Sequence, residues 1–185
     1  MDRLQIALIA LVVGWGLSQL TELIKSKCKI KKLKLAISLE LKDLEVLLDE
    51  RKRTVKKSAS EYGHDNKYSY SLGAPVSTLV LDAFYCDVAD SFIHEQRYNI
   101  RVFRDHIRAY NSIVEWLEKN SSGTATQNEI VFKLFEAYKQ TAFASVYIKE
   151  ANKVGGSVKI ADDHKSLIQL RSEFPDLIAK LAIKS

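Results

Sequence analysis

The sequence predicts an all-α protein: a single transmembrane helix that continues into a long helix, followed by an antiparallel helical bundle. Three observations predict it. Two prolines and seven glycines in 185 residues, against abundant Leu, Lys, Ile, Ala and Glu, favour helix over sheet. From Ile6 to Leu17 no side chain is polar or charged, so a helix there is apolar on every side. Beyond it, apolar residues recur in steps of three and four through most of the chain.

The opening apolar stretch is the strongest single feature. Counted from Leu4 to Ile24 it is about 31 Å long at ~1.5 Å per residue, enough for a hydrocarbon layer of about 30 Å. Gln5, Ser18, Gln19, Thr21 and Glu22 fall near its ends, where polar groups cost least. An interfacial or soluble helix is one competing reading, and an export signal is the other. Its charged leader would be only Met-Asp-Arg, no A-x-A cleavage site follows, and the lysines behind it would have to cross the membrane.

The net charge of +5 is local. Residues 1–24 hold Arg3 against Asp2 and Glu22; residues 25–57 hold twelve Lys/Arg against five acids, net +7; residues 58–185 hold fifteen against sixteen, net −1. A basic block beside an apolar segment is what anionic lipid headgroups attract, whereas nucleic-acid binding wants a cationic surface on the folded body. Lys25, Lys27, Lys29, Lys31, Lys32 and Lys34 are therefore the expected anionic-lipid contacts. The same asymmetry places the amino terminus outside the cell (inner) membrane and the body in the cytoplasm. Within the span, Ala10, Gly14, Ser18 and Glu22 stand four apart and line one face, a small-xxx-small strip along which two membrane helices could pack.

Residues 25–57 read as a basic juxtamembrane amphipathic helix, with Ile30, Leu33, Ile37, Leu41, Leu44 and Leu48 as its apolar stripe. No Pro or Gly interrupts residues 17–62, so one unbroken helix from Leu4 to about Lys57 is expected. Residues 58–75 are polar and carry Gly63, Gly73 and Pro75; they read as a loop, with His64, Tyr68 and Tyr70 as a conceivable recognition feature and a plain connection as the simpler reading. Residues 76–185 then form the cytosolic bundle. A helix from Val76 or Ser77 to about Ser91 is followed by one marked by Ile100, Phe103, Ile107, Tyr110, Val114 and Leu117. Thr126 and Glu129 make a capping box for a helix over 127–153, apolar on several sides and hence central. Gly155-Gly156 ends it, and a last helix from about Ser157 to Glu173 is expected to stop before Pro175, after which a short terminal helix begins.

Chemistry-bearing patterns are few. Cys86, Asp90 and His94 stand four apart and would share a face if residues 79–95 were one helix, a remote case for an enzyme or metal site. No HExxH, GxSxG, Walker loop or dinucleotide fingerprint is present. Two cysteines are too few for a disulfide framework. The sequence thus points to a non-enzymatic, single-pass, membrane-anchored protein-interaction or scaffold module without a cofactor, with a protein partner or a second copy of itself as its companion. The alternative is a membrane-perturbing effector, of toxin or antiphage type, activated when its transmembrane helices cluster.

Overall fold

The computed structural model describes residues 2–62, 70–120, 123, 125–153 and 155–182. Among them there is no strand. Five α-helices follow one another: α1 (Arg3–Glu61), α2 (Leu79–Val88), α3 (His94–Asn120), α4 (Gln127–Ala151) and α5 (Lys165–Ala182), with a 3₁₀ turn at Ala89–Ser91 between α2 and α3.

Helix α1 runs unbroken for 59 residues, through Gly14 and Gly16 and with no proline, and Asp2 and Gln5 form a capping box at its start. Its second half belongs to the bundle. Ile37, Leu41, Leu44, Leu48, Val55 and Ala59 are buried, a stripe that packs on the core formed by α3 and α4. The helix continues through Glu61, four residues into the segment read as loop, since Ser58 and Ala59 still bury against the body. The Ser58 hydroxyl donates to the Ser71 carbonyl and accepts from the Ser71 N–H, which fastens the returning chain.

The α3 stripe Ile100, Phe103, Ile107, Tyr110, Val114 and Leu117 is buried throughout, as its spacing predicts. Helix α4 starts at the Thr126–Glu129 capping box and is enclosed by its neighbours; Thr141 to Ser145, five successive residues that circle the helix, are all buried. Side-chain pairings fix the directions. Lys149 and Ser145 both bond Asp49, Asn152 donates to the Leu41 carbonyl, and Lys56 lies over the Tyr138 ring, so α4 runs antiparallel to α1. Gln96 near the start of α3 donates to the Ala151 carbonyl at the end of α4, so these two are antiparallel as well.

Residues 70–78 are irregular rather than helical, turning at Gly73 with φ 70°, and α2 begins at Leu79. Both Arg51 Nη1 and the Tyr110 hydroxyl donate to the Leu72 carbonyl, and Asn111 bonds the Val76 N–H and carbonyl. Those bonds hold the strap flat, and the Glu40 carboxylate of α1 then accepts from the N–H groups of Val80 and Leu81, satisfying the open amides that begin α2.

The last helix departs from expectation at both ends. Ser157 to Ile160 are extended because side chains of α3 and α4 take their polar groups: Glu150 accepts from the Val158 N–H and, through its carbonyl, from the Ser157 hydroxyl. Asn99 donates to the Val158 carbonyl and accepts from the Ile160 N–H. Helix α5 starts at Lys165 and passes through Pro175 to Ala182. Proline removes the bond to the Arg171 carbonyl, and Arg171 is exposed, so water can replace the missing donor.

Candidate membrane-anchoring site

From Leu8 to Ile24, ten large apolar side chains of α1 stand 50–73% exposed, including Leu11 at 73%, Trp15 at 66% and Val12 at 57%. At 3.6 residues per turn they cover about two-thirds of the circumference, and the small residues Ala10, Gly14, Ser18 and Thr21 take the rest. One helix of the protein, near the N-terminus, is long and apolar enough to cross a membrane, and none of its apolar window is buried within the protein. If each side chain recovers about 1 of the roughly 1.5–3 kcal/mol available on burial, removal from water is worth on the order of 10 kcal/mol. That exceeds what any surface helix of a small bundle leaves unclaimed. The backbone is bonded within the helix and the Thr21 hydroxyl donates to the Leu17 carbonyl at 2.8 Å, as lipid requires, while Gln19 and Glu22 fall near the end of the segment, where polar groups cost least.

Of the small-residue strip, Ala10, Ser18 and Glu22 are exposed, and around Gly14 no atom lies within 4 Å of where a Cβ would stand. The face is open along its length.

The lysines fall into two groups. Lys25, Lys27, Lys29, Lys31 and Lys32 are exposed and, at 3.6 residues per turn, surround most of the helix. Lys34 is half-buried, donates to the Ser91 carbonyl at 2.5 Å and sits 5.0 Å over the Phe92 ring. It clamps α1 to the α2–α3 junction. Between Ile24 and Leu33, the first residue packed on the core, α1 rises about 13 Å, against a headgroup layer of roughly 5–7 Å on each side of the hydrocarbon. The lysine collar, about 10 Å from Lys25 to Lys32, is thus longer than one headgroup layer of roughly 5–7 Å, and the bundle begins just past it.

Cys86, Asp90 and His94 do not share a face. The 3₁₀ turn and an extended Phe92 break the helix between them: Cys86 lies exposed on α2, Asp90 pairs with Arg97 at 3.1 Å, and His94 opens α3. Among the described residues, no three His, Cys, Asp or Glu side chains gather as a cation cage would need. Of the loop residues, His64 and Tyr68 lie outside the described segment, while Tyr70 donates to the Leu117 carbonyl and packs edge-on against Tyr62 at 5.7 Å.

A second apolar stripe on α1 escaped the sequence reading. Leu35, Leu39 and Val46 are 61%, 53% and 71% exposed, on the side away from the core. Their spacing of four and seven was the available signal, overshadowed by the longer stripe that faces inward.

No known protein family, no curated protein and no solved structure matches the chain.

Proposed function

We propose that this protein is a single-pass membrane tether that holds a helical interaction module at the cytoplasmic surface of the cell membrane. What carries the reading is the fully exposed, all-round apolar segment of α1, joined through an exposed lysine collar to a bundle that buries its own core. Lys25, Lys27, Lys29, Lys31 and Lys32 would meet anionic headgroups, each worth about 1 kcal/mol near such a surface, and their excess after the span sets the amino terminus outside. The bundle, well packed and presenting no catalytic constellation among its described residues, acts by binding.

Topology is testable with a membrane-impermeant maleimide. Cys86 is exposed in the bundle and should react only after the cytoplasmic face is opened, whereas a cysteine placed by Asp2→Cys should react in intact cells. Labelling of Cys86 in intact cells would overturn the orientation.

A further inference from the structure

We infer that α1 pairs in parallel with α1 of a second copy, along the face opposite the bundle core. This rests on the tether reading, because a span fixes every copy in one direction and leaves only parallel pairs.

The core claims Ile37, Leu41, Leu44 and Leu48, yet Leu35, Leu39 and Val46 stand exposed on the other side of the same helix. With Lys42 between them they follow steps of four, three and four, the period of a two-helix seam. Among the described residues nothing covers them. Carried back toward the span by the same steps, the line passes Lys32, Cys28, Lys25, Thr21, Ser18, Gly14 and Leu11, every one of them exposed. The cytosolic stripe and the open Gly14–Ser18 face of the span are thus one line on one unbroken helix.

Charge favours a second copy as the occupant. In a parallel pair a side chain at the Lys42 position packs into a hole bordered by the residue that follows it on the opposite helix. That residue is Asp43, so each ammonium meets the carboxylate of the other copy, twice by symmetry. Neither side chain has an ion-pair partner within the chain among the described residues. Lys25 and Lys32 also lie on the line; Lys25, next to the apolar segment, falls at headgroup depth, where lipid phosphates offset repulsion between copies.

The full chain carrying Cys86→Ser, reconstituted in phosphatidylcholine–phosphatidylglycerol vesicles and oxidised with copper phenanthroline, should form a Cys28–Cys28 disulfide dimer. A chain with Cys28→Ser, Cys86→Ser and Ser26→Cys moves the thiol to the opposite side of the helix and should cross-link about fivefold less. Leu39→Glu with Val46→Glu should lower the Cys28 dimer about threefold without changing the melting of the bundle, since both positions are exposed. Equal yields at positions 26 and 28, or no effect of the paired glutamates, would overturn the pairing. A carbonate wash of the same vesicles separates the two claims: chain lost to the wash defeats the tether, whereas chain retained with phase-independent cross-linking defeats the pairing alone.

Discussion

Two helical segments of this protein have uniform surroundings around their whole circumference, and those surroundings are opposite. In α4, residues 141–145 are all buried, enclosed by α1, α3 and α5. In α1, residues 7–24 are exposed at every position, and none of that window is buried by the described residues. A segment apolar on several sides states only that water is the wrong solvent for it; neighbours decide what replaces it. For α4 the replacement is protein. For the first part of α1 none of the described residues supplies it, which supports lipid as the replacement.

The comparison breaks most sharply if charge is placed in each segment. Leu11→Arg with Val13→Arg puts two guanidinium groups at the centre of the span, at about 2.5–3.5 kcal/mol each, and should move the chain from the membrane pellet to the soluble or aggregated fraction while the bundle melts as before. Leu134→Ala, at a fully buried position of α4, should do the reverse: about 3 kcal/mol of bundle stability lost in detergent, with membrane sedimentation unchanged. Leu11→Ala, the same truncation in the span, should leave bundle melting unchanged.

Smaller effects sharpen the protein side of the contrast. Asn99 is fully buried and holds both Val158 and Ile160, so Asn99→Leu should cost about 1–3 kcal/mol by leaving their backbone groups without partners, and should raise amide exchange over 157–160. His106 gives the smallest effect. It lies against the rings of Phe143 and Tyr147 and bonds Gln140, and burial lowers its pKa below the ordinary value, outweighing the bond. The folded chain therefore keeps it neutral while the unfolded chain takes up the proton first. Its contribution to stability is complete above about pH 6.5 and is lost as pH falls below that. Thermal melts between about pH 7.5 and 5.5 should show a steeper acid decline for the native chain than for His106→Gln.

Most of the helices were legible because each rests on a periodic signal that local physics reads directly. The α3 stripe and the Thr126–Glu129 box needed only spacing and one hydrogen-bonding residue type. What escaped depended on partners far along the chain. Nothing near Ser157 announces that Asn99 and Glu150 will hold it extended, and Glu40 gives no local hint that it caps a helix forty residues on. The apparent Cys86–Asp90–His94 face failed for a similar reason: the 3₁₀ turn lies inside a run whose composition reads as helix. In the anchoring segment, the lysines were visible as a block, but which of them turns inward was not. Lys34 is bound to Ser91 only because α2 ends beside it.

The two tryptophans allow the central claim to be measured in one molecule, since Trp15 stands in the span and Trp116 in α3, half-buried with Lys133 over its ring at 5.3 Å. With Trp116→Phe, the chain reconstituted in vesicles should show Trp15 emission strongly quenched by brominated acyl chains and shielded from aqueous acrylamide. With Trp15→Phe, the remaining Trp116 should be untouched by the brominated lipid. Trp15 emission that acrylamide quenches as freely as in an unfolded peptide, and that brominated lipid leaves unchanged, would contradict the account.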